Sequence, residues 1–217
     1  QMAAILGIVE RKTEEKDTFF RPRMELPFLK PYDHVVCSQW EMPQIAFVES
    51  ITPKTDMKII ATFKQNGKAA VISKNTGKGF VFYAASLPGV AYLWSALQPP
   101  TVPDRSPGVH VLPINFDKGA ESLIRLPLET ANFSPQIISS EKLIDVRILQ
   151  STSAYILPIA NYNREINQDV TLSCKLEKKP TKATSAYKGE LKIIEENGRY
   201  KITIPKLGYG DIIRFDI

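Results

Sequence analysis

The sequence predicts a mainly β protein with an α+β N-terminal lobe: a small sheet with one flanking helix, followed by an antiparallel β-sandwich. Three observations carry that expectation. Short apolar or alternating runs recur from His34 onward. Two Asn-Gly pairs, Asn66-Gly67 and Asn197-Gly198, fall between such runs as hairpin turns. Val90, Leu93, Trp94 and Leu97 fall at the i, i+3, i+4, i+7 spacing of an amphipathic helix. A chain of 217 residues, 43% hydrophobic and 24% charged, can bury one large core or two modest ones. The expected division is 1–98 and 108–217.

Met2 to Val9 is apolar enough for a helical turn or two, Glu10 to Lys16 reads as a solvated charged stretch, and the prolines between Phe19 and Pro31 make an extended connection. His34 to Ser38 forms a first strand, and Ile45, Phe47 and Ile51 alternate in a second. Met57 to Phe63 turns at Asn66-Gly67 into Ala69 to Ser73, and a second turn, Asn75 to Gly79, leads into Phe80 to Ala84. These three strands predict a meander. Ser86 is placed to cap the helix, with Pro88 in its first turn. Pro99-Pro100, Pro103 and Pro107 then remove backbone donors and stiffen the chain, which puts the domain boundary there.

Everything after Val109 reads as strands: His110–Ile114, Ser122–Leu128, Leu143–Leu149, Ala154–Ala160, Val170–Leu176, Leu191–Glu195, Tyr200–Ile204 and Ile212–Ile217. Val170, Leu172, Cys174 and Leu176 alternate most cleanly, so one face of that strand is buried. Asn197-Gly198 and Gly208-Tyr209-Gly210 supply turns, and short strands at such spacing fit a sandwich.

No apolar run approaches the roughly 20 residues that cross a bilayer, and no secretory leader is visible; the opening Gln1-Met2-Ala3-Ala4 reads as the edge of a fragment. The net charge of +5 is spread among acids, which makes a solvated face. In the densest basic stretch, Lys175 to Lys188, no aromatic side chain interleaves before Tyr187, so nucleic acid is not an expected partner. Cys37 and Cys174 read as free thiols.

Catalytic chemistry finds little support. His34 and His110 are the only imidazoles, and no glycine-flanked elbow surrounds Cys37 three residues after His34. No metal-ligand spacing occurs, and neither metal nor cofactor is expected. Glu41, Glu49, Asp56, Glu129 and Asp145 are the acids from which a glycosidic pair would have to come, and each reads more simply as surface charge. Gly77-Lys78-Gly79 lacks the upstream glycine and following hydroxyl of a phosphate loop and reads as a turn. Trp40, Tyr162 and Tyr209 sit in or beside loops, where an exposed ring could stack on a sugar.

The run Ile59 to Phe63, Asn66 to Val71, Gly77 to Tyr83 and Leu87-Pro88-Gly89 resembles the closing part of the amidotransferase-like domain of bacterial β-galactosidases. The segment Tyr155 to Tyr162, together with Pro205 to Ile213, looks like the terminal β-sandwich of multidomain glycosidases. The resemblance implies an accessory module that has lost the amidotransferase residues. Its partners would be other domains of a parent chain or identical subunits, with polysaccharide as a further candidate, in a bacterial periplasmic or extracellular setting. Carbohydrate binding and an amidotransferase-like hydrolase using Cys37 are the alternatives.

Overall fold

The computed structural model describes residues 5–16, 20–21, 24–99, 115–163 and 168–217. The chain divides into two compact units, 1–133 and 134–217, each with its own core.

The first unit contains β1 (Ile8–Lys16), a 3-10 turn at Leu26–Phe28, β2 (Asp33–Val36), β3 (Glu41–Gln44), β4 (Phe47–Pro53), β5 (Lys58–Phe63), β6 (Ala69–Thr76), β7 (Gly79–Ala84), α1 (Pro88–Ala96) and α2 (Lys118–Thr130). Five strands form an antiparallel sheet in the order β3-β2-β5-β6-β7, so the expected meander β5-β6-β7 is continued on one side by β2 and β3. β1 and β4 pair as a separate antiparallel ribbon. Val35, Met42, Ala61, Phe63, Val71 and Ile72 are buried together with Ala91 of α1 and with Ala120 and Leu123 of α2. Each large apolar side chain buried in this way contributes about 1.5–3 kcal/mol.

Three local expectations are corrected here. The charged stretch Glu10–Lys16 is part of β1, because pairing with β4 satisfies its backbone while the side chains from Glu10 to Glu14 stay exposed, so charge hides the strand in the sequence. Ser122–Leu128 is helix, not strand, so two helices flank the described sheet. Asp117 caps α2 by accepting from the Ala120 N–H at 2.7 Å. Arg125 reaches Glu121 and Glu129 one turn away on either side, and the inward positions Ala120, Leu123 and Leu126 are three apart, not two. Packing of α2 on β3 and α1 brings the first compact unit to Phe133, beyond the expected boundary at 98–108. Finally, Ser86 does not cap α1: Leu87 is the N-cap residue, and the buried Ser86 hydroxyl has no hydrogen-bond partner among the described residues. The expected strand His110–Ile114 lies outside the described residues.

The second unit contains β8 (Ile137–Ser139), β9 (Ile144–Val146), β10 (Leu149–Gln150), β11 (Ala154–Asn161), β12 (Gln168–Cys174), β13 (Lys182–Ser185), β14 (Gly189–Leu191), β15 (Ile194–Glu196), β16 (Arg199–Leu207) and β17 (Gly210–Asp216). One sheet runs β10-β11-β17-β13-β14, with β9 also on β11; the other runs β15-β16-β12-β8, and every pairing is antiparallel. Period-two alternation sends Tyr155, Leu157 and Ile159 of β11 and Ile213 and Phe215 of β17 into the same core as Val170, Leu172 and Cys174 of β12 and Ile202 and Ile204 of β16.

The two Asn-Gly turns are not alike. Asn197 and Gly198 both take positive φ, at 50° and 70°, and join Glu196 directly to Arg199, the geometry of a two-residue hairpin. At the other, only Gly67 has positive φ, and Phe63 and Lys68 close a wider loop in which the Asn66 side chain accepts from the Lys68 N–H at 2.9 Å.

Candidate functional site

The three loop aromatics are divided between the two units. Trp40 is half-buried against the core of the first unit, whereas Tyr162 and Tyr209 belong to the second and are 59% and 79% exposed. What the second unit builds around Tyr209 is an open concavity of about 630 Å³, lined by Ile159, Tyr187, Lys188, Lys206, Tyr209 and Ile212 among others. Tyr162 is not part of that lining, and Tyr187, 77% exposed, takes its place.

Two buried polar residues hold the walls. Asn161, at the end of β11, donates from Nδ2 to the Gly208 carbonyl at 2.9 Å and from its backbone N–H to the Tyr209 carbonyl at 2.8 Å, which fixes the β16–β17 turn. Gly210 is required beside it, since a Cβ there would lie 2.5 Å from the Ile159 carbonyl oxygen. On the other wall, the buried Ser185 hydroxyl donates to Asp211 Oδ2 at 2.6 Å and accepts from the N–H groups of Tyr187 at 3.1 Å and Lys188 at 2.8 Å. The β13–β14 turn that carries Tyr187 is thereby tied to the floor of the same concavity.

The charges are arranged unevenly. Asp211 is buried, and its carboxylate is occupied by Ser185 and by the Ile212 N–H at 2.7 Å. Lys188 and Lys206 form no ion pair among the described residues, so the charge that the lining offers to solvent is positive.

In the first unit, the buried Glu49 accepts from the Tyr83 hydroxyl and pairs with Arg11. Burial, then the bond to Glu49, pushes the Tyr83 phenol up to about 12. A smaller concavity of about 230 Å³ touches Glu49, Asp33 and Glu14, but Asp33 is engaged by the N–H groups of His34 at 2.7 Å and Gln65 at 3.3 Å. The other acids considered for glycosidic chemistry also have neighbouring cations: Glu41 with Lys64, Asp56 with Lys74, Glu129 with Arg125 and Asp145 with Arg147. The hydrogen bonds from Lys64 and Lys74 hold the Glu41 and Asp56 carboxyls below the usual carboxylate range.

Cys37 is half-buried, and its sulfur accepts weakly from the Gln39 N–H at 3.5 Å; no hydrogen bond joins it to His34. Cys174 is buried, and burial pushes its thiol up to about 11, opposite to the shift that activates a nucleophile. Gly77, at φ 58°, turns β6 into β7 through the register Thr76 to Gly79, as expected of a hairpin and not of a phosphate cradle. Among the described residues no group of three or more His, Cys, Asp or Glu side chains is placed to hold a metal, and no helix is long and apolar enough to cross a membrane.

The fold is one found in glycosidases. A catalytic mutant of a GH42 β-galactosidase from G. stearothermophilus matches 100% of this chain with 24% of its own length, at a TM-score of 0.52 and 14% identity. The β-galactosidase from Bacillus circulans sp. alkalophilus matches 99% of this chain with 25% of its own, at 0.53 and 15%. An α-L-fucosidase isoenzyme from Paenibacillus thiaminolyticus matches 94% with 33% of its own, at 0.54 and 10%. The chain therefore spans a quarter to a third of these proteins. No family model and no curated protein matches the sequence.

Proposed function

We propose that this chain is a non-catalytic structural and assembly module of a larger carbohydrate-processing protein. In this reading the N-terminal lobe is a partial amidotransferase-like domain, and the second unit is a terminal β-sandwich. The observation that carries it is the end-to-end correspondence with about a quarter of each β-galactosidase chain. Asp33, Glu41, Glu49 and Asp56 favour it further, because they are engaged by local cations or backbone donors. Sedimentation velocity across a concentration series should reveal reversible self-association, and the purified chain should leave p-nitrophenyl β-galactoside intact. Turnover of that substrate would overturn the non-catalytic half of the proposal, and a monomer at every concentration the assembly half.

Carbohydrate binding is a second reading, favoured by the two exposed tyrosines on anchored turns beside the concavity.

A further inference from the structure

We infer that the concavity flanked by Tyr187 and Tyr209 is a binding site for an acidic saccharide, one whose rings carry carboxylate or sulfate. That the ligand is a sugar rests on the carbohydrate-processing context proposed above; that it is acidic rests on the lining itself.

Four features converge. The volume, about 630 Å³, falls in the range of about 300–1,000 Å³ typical of small-molecule sites. Both phenol rings are more than three-quarters exposed, and neither hydroxyl has a partner among the described residues, so packing does not account for their position. Their turns are anchored to buried Asn161, Ser185 and Asp211, which lowers the ordering cost when a ligand arrives. The half-exposed Ile212 side chain adds an apolar surface between polar groups, which suits the C–H face of a pyranose.

The charge decides the class. Asp211 faces inward and is satisfied by Ser185 and the Ile212 amide, while Lys188 and Lys206 stand in the lining without a described counter-ion. Lys206 is held in the left-handed region, at φ 46°, with its N–H bonded to Asp169 Oδ1 at 2.9 Å, so its backbone is fixed although its ammonium is not. A neutral glycan would leave both ammonium groups unused, whereas an acidic one pairs with them.

The test is calorimetric titration of the whole chain with a galacturonic acid tetramer, a sulfated chondroitin tetramer and a neutral galactose tetramer. At least one acidic oligomer should bind, about tenfold or more tighter than the neutral one. The carboxylate and sulfate arms tell which anion is read. Tyr187→Ala and Tyr209→Ala should each weaken binding about tenfold without moving the thermal transition, because both rings lie outside the core. The double substitution Lys188→Ala with Lys206→Ala should abolish the preference for the acidic oligomer. Failure of all three oligomers to bind, equal affinity for neutral and acidic ones, or undiminished binding by the tyrosine variants would each overturn the proposal. If the tyrosine variants lose self-association in sedimentation and no oligomer binds, the patch is a contact between copies; the saccharide site is then wrong while the assembly reading stands.

Discussion

Glu49 shows how much of this molecule's ionic chemistry is spent on holding structure. Its buried carboxylate takes the Tyr83 hydroxyl on one side and Arg11 on the other, so Glu49→Ala would leave two donors without their acceptor. Urea unfolding should show a loss of about 2–3 kcal/mol. Arg11→Ala should cost less, since that side chain is half-exposed. Tyr83 carries a pH signature with a definite sign. A free tyrosine ionises near 10, and this one is held protonated to about 12, so between those values the unfolded chain gives up a proton that the folded chain keeps. Stability should be unaffected by this group below pH 10, fall as pH climbs toward 12, and level off above. The difference between the native protein and Tyr83→Phe isolates the contribution from that of the lysines. The cysteines separate in the same way. At pH about 8, iodoacetamide should modify Cys37 first and leave Cys174 untouched until the protein unfolds, with mass spectrometry of the peptides as the readout.

Among the elements, α2 depends on one glycine. A Cβ at Gly119 would lie 2.0 Å from the Glu41 carbonyl oxygen, a backbone atom that cannot swing aside, so the helix must lift off β3. Gly119→Ala should therefore destabilise by about 1–3 kcal/mol in thermal or urea unfolding. Gly89→Ala, in the first turn of α1 with open space around it, should be neutral or stabilising by up to about 1 kcal/mol. These elements differ in how plainly the sequence announced them. Val170, Leu172 and Cys174 alternate because each inward step meets the opposite sheet, and that rhythm survives in the letters. β1 has no such rhythm, because beyond the buried Ile8 its residues are mostly charged and its ladder to β4 is made by backbone groups. α2 is obscured by Pro127, which lacks the N–H that a helical residue donates to the carbonyl four residues back, and by leucines that also fit alternation. The candidate site was half legible. The Gly208-Tyr209-Gly210 turn marks Tyr209 as a loop aromatic, whereas Tyr187 reads only as the end of a basic stretch. Its placement depends on Ser185 and Asp211 meeting across β13 and β17, a pairing that sequence separation conceals.

On the scale of the whole molecule, the two units have separate cores and different spectroscopic labels. Both tryptophans, Trp40 and Trp94, lie in the first unit, and the second has none. Tryptophan fluorescence should follow unfolding of the first unit alone, while far-UV circular dichroism, dominated by strands from both, should show any transition belonging to the second. A polypeptide of residues 134–217 should fold without the rest and give a dispersed amide spectrum; a collapsed, undispersed one would show that the sandwich borrows stability from the preceding unit. Within that sandwich, β17 lies between β11 and β13, so the strand synthesised after all the others described in this unit is an interior one. Until it emerges, both neighbours present bare amide edges to the cytosol or to a translocating pore. This unit must wait for synthesis to reach that strand, and a nascent chain stalled short of Gly210 would be a target for chaperones or for aggregation.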